Sequence, residues 1–230
     1  SRKGYSISLG YNRNYTLRRP QQWGWSVNVA TYGDMDQLPL FQEISVEEGI
    51  SSFQTAAASI HYSRTRSSLG ATMAEQGYKL NLDGYTYFAD KTFFPSLIAQ
   101  ADFGLHTPSI GKHTNIWLRT AAGQNFGSPN SVFGNEYFGG FRNNYIDWQT
   151  VERYRTVNAF PGARIDHIKA HSFLKATAEL NLTPLRLSNF GFPTFYPTNI
   201  KMSLFSTTLC ADPWEVRKPE WHTNIGAQFN

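Results

Sequence analysis

The chain has 230 residues, of which 15% are aromatic and 17% charged, with a formal net charge of +4 and a single cysteine; its mean hydropathy is −0.42. No run approaches the roughly 18 apolar residues of a spanning helix, and no Lys/Arg block outlines a nucleic-acid footprint, which argues against an inner-membrane helical protein and against a nucleic-acid partner. Cys210 has no disulfide partner and fits no zinc cluster, so it reads as a small buried or lipid-facing apolar residue.

Ser1-Arg2-Lys3-Gly4 leads into strand-like alternation without the apolar core of a signal peptide, which reads as a mature chain or an excised piece of one. Tyr5, Ile7, Leu9 and Tyr11 alternate with Ser6, Ser8, Gly10 and Asn12, and Trp23, Trp25, Val27 and Val29 alternate with Gly24, Ser26, Asn28 and Ala30. Each segment fits the two-residue period of a strand. Residues 33–48 then carry Asp34, Asp36, Glu43, Glu47 and Glu48 and read as a solvated acidic loop, because they lack the spacing of an EF-hand calcium loop.

Further strands are predicted over Gln54–Ser63, Tyr78–Asp83, Pro95–Leu105 and Thr114–Ala122. A long stretch without regular alternation follows at about 123–172, and loops of that length inside a compact domain usually carry function. The clearest alternation comes next, in Phe173–Thr183, where Leu174, Ala176, Ala178, Leu180 and Leu182 oppose Lys175, Thr177, Glu179 and Asn181. Ile200–Leu209 and Thr223–Phe229 complete about nine or ten strands of roughly 9 to 13 residues, the length that crosses an outer membrane at a tilt. Ordinary soluble strands are about half as long.

The expected fold is therefore all-β, one antiparallel unit over residues 1–230. Two architectures share its pattern. A soluble sandwich buries the apolar faces between two sheets, whereas a transmembrane barrel turns them to lipid and keeps the polar faces for a wet lumen. Composition leaves the two about level, while strand length and the long irregular region favour the barrel; an aromatic-rich sandwich that binds carbohydrate is the rival. An outer-membrane hydrolase is a third reading. Asp83, Asp102 and Glu179 lie on polar strand faces and could pair, although lumen-facing charges more often tune a pore or hold a loop. No Gly-x-Ser-x-Gly elbow occurs, and His61, His106, His113, His167, His171 and His222 show no metal-ligand spacing, so no catalytic residue, metal or cofactor is expected. Of Trp23, Trp25, Trp117, Trp148, Trp214 and Trp221, three (Trp23, Trp214 and Trp221) fall near predicted strand ends, where interface girdles place them.

Within the long loop the chain reads Phe138-Gly139-Gly140-Phe141-Arg142-Asn143-Asn144-Tyr145-Ile146-Asp147 and then Tyr154-Arg155-Thr156-Val157-Asn158-Ala159-Phe160-Pro161-Gly162. Ala178-Glu179-Leu180-Asn181-Leu182-Thr183-Pro184 and Leu204-Phe205-Ser206-Thr207 follow, and Ser63-Arg64-Thr65-Arg66 with Gly77-Tyr78-Lys79-Leu80-Asn81-Leu82 precede. In order and spacing these blocks resemble the C-terminal barrel of the bacterial outer-membrane assembly and two-partner-secretion (surface antigen) superfamily, most closely the barrels attached to periplasmic propeller-like repeats. The resemblance spans about residues 52–229. It implies a loop whose tip folds into the lumen, here Gly139, Gly140, Phe141, Arg142 and Arg155, with Glu179 as its partner on the wall. Two positions depart from the family pattern: Gly139 stands where the tip arginine is expected, and Thr207 where an acidic residue is common. Arg142 or Arg155 would then supply the guanidinium, which a carboxylate can grip bidentately.

The resemblance further implies part of a barrel of about sixteen strands in the outer membrane of a Gram-negative bacterium, non-enzymatic, acting in protein translocation or insertion or as a loop-gated pore. About three strands after the long loop, where the superfamily has five, and an ending at Phe229-Asn230 in mid-pattern lead to the expectation of a fragment. Its expected partners are the lipid bilayer, periplasmic or outer-membrane proteins, and the remaining barrel strands or a partner chain.

Overall fold

A computed structural model describes residues 4–16, 18–34, 51–140, 152–187, 199–214 and 219–229. The strands are β1 Tyr5–Thr16, β2 Gln21–Gly33, β3 Phe53–Arg66, β4 Gln76–Ala89, β5 Thr92–His106, β6 Asn115–Asn125, β7 Glu136–Phe138, β8 Ile168–Ala170, β9 Ser172–Asn181, β10 Leu185–Arg186, β11 Asn199–Ile200, β12 Met202–Ala211 and β13 Glu220–Phe229. Nine of them form one antiparallel sheet in the order β1-β2-β3-β4-β5-β6-β9-β12-β13, and two small pairs, β7-β8 and β10-β11, stand apart. The fold is all-β and antiparallel. β1 and β13 are the outer strands of the order and do not pair with each other among the described residues, so the sheet is open there.

The sheet strands run from 10 residues in β9 to 15 in β5. Two of them outrun their alternation. β4 continues past Asp83 to Ala89 because Tyr85 and Tyr87 replace polar residues on its polar face, and β6 reaches Asn125. β4 and β5 are joined by Asp90 and Lys91, with φ of +49° and +62°, the two left-handed residues that a tight hairpin needs to match strand twist. The 126–171 connection carries the β7-β8 pair, two 3-10 turns at Val132–Gly134 and Arg153–Arg155, and a bridge between Gly140 and Phe160.

Over β5, β6, β9 and β12 the two faces are buried in the reverse of a soluble sheet. On β9 the polar residues are the buried ones: Lys175 is 6% exposed, Thr177 3%, Glu179 1% and Asn181 2%, while Leu174 is 37% exposed and Ala176 and Ala178 are exposed beside it. Register carries this face across the sheet, through Leu82↔Ala99, Ala99↔Ala122, Ala122↔Leu174 and Leu174↔Cys210 in one row and Phe103↔Leu118, Leu118↔Ala178 and Ala178↔Ser206 in another. Leu97, Phe103, Leu105, Ile116, Leu118, Leu204 and Ile225 extend it as an exposed apolar band. No second sheet of comparable size covers that band among the described residues. Soluble monomers rarely leave so continuous an apolar surface open.

The apolar core lies instead on the polar face, at the end of the sheet where β6 stops and β9 starts. Ile98, Phe173, Leu209 and Ala211 point there and meet Phe138, Phe160, Ile168 and Ala170 of the long connection. Phe138 and Phe173 meet edge to face at 4.8 Å. The loop is thus a folded element packed against the sheet.

Candidate functional site

Glu179 is the centre of the buried polar face. β9 runs beside β6 because β7 and β8 leave the sheet as their own pair, and this adjacency lets Arg119 reach Glu179 along a cross-strand diagonal. Arg119 Nε donates to Glu179 Oε2 at 2.8 Å, and its Nη1 donates to Asp102 Oδ2 of β5 at 2.5 Å. Arg155 comes from the loop and grips the same carboxylate with both arms, Nε to Oε2 at 3.0 Å and Nη2 to Oε1 at 2.5 Å. Asn181 Nδ2 adds a bond to Oε1 at 2.7 Å. One carboxylate is therefore shared by a guanidinium of the sheet and a guanidinium of the loop.

The fastening extends along the chain from Arg155. Tyr154 stacks flat on Phe205 of β12, with ring centroids 4.2 Å apart and 4° between planes. Lys175 Nζ donates to three loop carbonyls, those of Thr156, Val157 and Ala159, at 2.9, 2.8 and 2.6 Å. An ammonium has three protons and no acceptor, so these bonds use its full capacity. Earlier in the loop, Phe133 sits among Phe53, Tyr87 and Phe94 at 5.4, 5.0 and 5.8 Å. The connection is thus tied to the sheet by an ion pair, a set of carbonyl bonds to one ammonium, and aromatic contacts through Phe133, Phe138 and Tyr154. Its described parts lie on the polar face.

Of the residues singled out from the sequence, Arg155 and Glu179 are brought into direct contact. Gly139 and Gly140 serve a different part of the loop. Gly139 adopts φ +152°, where an added Cβ would lie 1.8 Å from the Arg164 carbonyl oxygen, so only glycine fits. Gly140 accepts from Phe160 N and donates to Ala163 O, both at 3.0 Å, which joins the two halves of the loop to each other. Phe141, Arg142 and Trp148 lie outside the described residues, as does most of the acidic 33–48 segment, of which Asp34 is described. Asp102 belongs to the network; Asp83 instead accepts from Gln100 at 2.9 Å. Trp117 stands on the polar face beneath Arg119 and Lys79, whereas across the β1-β2 pair Trp23 stacks on Tyr15 and Trp25 meets Tyr11 at a tilt of 44°.

Arg119 and Lys175 were not singled out by sequence reasoning, although each occupies a polar slot in an alternating strand. A charged residue in the middle of a strand's polar row was the available signal.

A second polar cluster joins two turns at the opposite end of the sheet. Glu75, 2% exposed, accepts from the Ser68 amide at 2.7 Å and lies 2.8 Å from His113 Nδ1. Ser68 Oγ is 3.2 Å from that same ring nitrogen. A nucleophile, base and orienting acid need opposite nitrogens of the imidazole, so this cluster is a latch between turns 67–75 and 107–114 without relay geometry. Burial pushes the Glu75 carboxyl up, but hydrogen bonds from Ser68 and His113 outweigh it and hold the group below the usual carboxylate range. A depressed folded value gives stability that is present above the unfolded value of about 4.3 and lost as pH falls through the folded one. The Ser68 amide is accordingly expected to lose hydrogen-exchange protection in acid, and Glu75→Gln to remove that pH dependence. Unchanged protection factors from pH 6 down to about pH 3 would show that the latch does not hold the turn.

No family model matches the chain, and no characterised protein is significantly similar to it in sequence.

Proposed function

We propose that this chain forms wall strands of a transmembrane β-barrel in a bacterial outer membrane and works without catalysis in protein translocation or insertion, or as a pore gated by the 126–171 loop. One observation carries the reading: β9 buries Lys175, Thr177, Glu179 and Asn181 beneath the loop and leaves Leu174, Ala176 and Ala178 exposed on the other side. In water such a face would cost roughly 25 cal/mol for each Å² left uncovered, whereas lipid removes that cost. Partner strands are part of the proposal. Unpaired backbone groups on β1 and β13 would cost several kcal/mol each in hydrocarbon, so these edges require further strands or a second chain to close a barrel of about sixteen.

The Arg155–Glu179 pair supports the gating part. It ties the loop to the wall at a buried point, in the manner that the superfamily resemblance implies, with Arg155 in the tip role. A carbohydrate-binding sandwich would need its apolar faces packed together, and the exposed band weighs against it. A hydrolase would need acid–base geometry that the Ser68, His113 and Glu75 cluster lacks.

The test is spin-label accessibility along residues 173–181 of the protein in lipid. Labels at Leu174, Ala176 and Ala178 are expected to respond to a membrane-soluble relaxant, and labels at Lys175 and Thr177 to be shielded from it. If the apolar positions are shielded from both lipid-soluble and aqueous agents, another protein surface covers them and the membrane assignment fails.

A further inference from the structure

Beside the Arg155–Glu179 pair the polar face opens into a cavity of about 280 Å³, lined among others by Lys79 of β4, Arg119 of β6, Glu152 and Arg155 of the loop, and Lys201 just before β12. The guanidinium donors are already committed. Arg119 spends its donors on Glu179 and Asp102, and Arg155 spends Nε and Nη2 on Glu179 while its Nη1 lies 3.7 Å from Glu152. That uses all three carboxylates of the cluster. Lys79 and Lys201 line the same space, and among the described residues neither makes a hydrogen bond or ion pair; the ammonium of Lys79 stands 5.9 Å from the Trp117 ring centroid. Four cations thus meet three carboxylates, a net charge of +1, and the two ammonium groups are the cations left without a hydrogen bond.

We propose that this cavity binds a small oxyanion, a phosphate- or carboxylate-bearing solute, held by Lys79 and Lys201, the two cations of its lining that no described carboxylate pairs with. Ammonium groups act as point charges for such oxygens. The walls strengthen them, because the Trp117 ring and Met73 replace part of the water that would otherwise screen the charge. The volume admits a phosphate ion with room for a small organic substituent. The inference goes beyond the membrane reading and does not depend on it, since the cavity belongs to the polar face whatever covers the apolar one, so the two can fail separately.

The test is titration of the purified full chain in detergent with inorganic phosphate at low ionic strength, followed by calorimetry and by ³¹P line broadening. Saturable binding to one site is expected, weakened about tenfold or more by Lys79→Gln and likewise by Lys201→Gln, and unchanged by Lys112→Gln in the β5–β6 turn. Two lysine variants keep the test open if one of them does not fold. Displacement of phosphate by phosphatidylglycerol in mixed micelles would assign the same site to a lipid headgroup; failure to displace it would assign a water-borne anion. Absence of saturable phosphate binding, or binding that both lysine substitutions leave unaltered, overturns the proposal.

Discussion

Glu179→Ala is expected to release the middle of the 126–171 loop from the sheet. The substitution strands two guanidinium groups that now share one buried carboxylate. Removing one partner of a buried ion pair costs roughly 3–5 kcal/mol because the other is left uncompensated. Here the loss is unequal: Arg119 keeps Asp102, whereas Arg155 keeps the longer contact with Glu152 at 3.7 Å and the weak ones with Met73 Sδ at 3.8 Å and the Tyr154 ring. The loop side therefore gives way first. Limited proteolysis of residues 152–165 should become faster, and in planar bilayers the conductance of a loop-gated pore should rise or become noisy. Arg155→Ala should release the same segment at lower cost, since Glu179 retains Arg119 and Asn181, and the double variant Glu179→Ala with Arg155→Met should recover part of the lost stability. If Glu179→Ala leaves proteolysis of 152–165 at the wild-type rate, then Lys175 and the Phe138–Phe160 core hold the loop alone, and the ion pair is not its lock.

Ala176→Arg separates lipid from water on the outer face. Ala176 is near the centre of β9, between Thr120 of β6 and Thr208 of β12, on the exposed apolar side. An arginine at the bilayer midplane of a barrel destabilises by about 2–4 kcal/mol. On a water-exposed strand the same change is worth no more than about 0.5 kcal/mol in either direction. Refolding into lipid vesicles, with folded fraction read across a denaturant series, should show the larger loss for Ala176→Arg and near-neutral behaviour for Ala176→Leu. Equal stability of the arginine variant in lipid would mean that Ala176 faces water, and the lipid-facing assignment of β9 would fall.

Much of the sheet was legible from alternation. In Phe173–Thr183 every second residue is apolar, and that alone separates Leu174, Ala176 and Ala178 from Lys175, Thr177 and Glu179, because a strand turns successive side chains to opposite faces. The ends of the strands were less legible. Phe173 and Leu174 are adjacent apolar residues, as are Leu209 and Cys210, and Tyr85 and Tyr87 stand in slots that alternation assigns to the polar face. Each marks the place where the loop packs and the inner face turns apolar: Phe173 and Leu209 belong to the core with Phe138, and Tyr87 lies 5.0 Å from Phe133. A two-residue period has no room for a face that changes character along its length.

Loop chemistry was the least legible. Arg142 and Arg155 were equal candidates from their motifs, and nothing local distinguishes them, since the contact made by Arg155 spans 24 residues of irregular chain to Glu179. Arg119 lies 60 residues from Glu179 and becomes its neighbour only because β7 and β8 leave the main sheet.

What the sequence determined by itself is the all-β class and the division of each long strand into an apolar and a polar side, because those follow from side-chain spacing along one extended chain. Which side is covered was decided by tertiary structure: the described parts of the 126–171 loop lie on the polar side, where Glu179 and Lys175 supply charge and protons to its arginine and carbonyls. Buried charged groups hold only when partners arrive from elsewhere in the chain, and that arrival depends on sheet order and register, which no local spacing encodes.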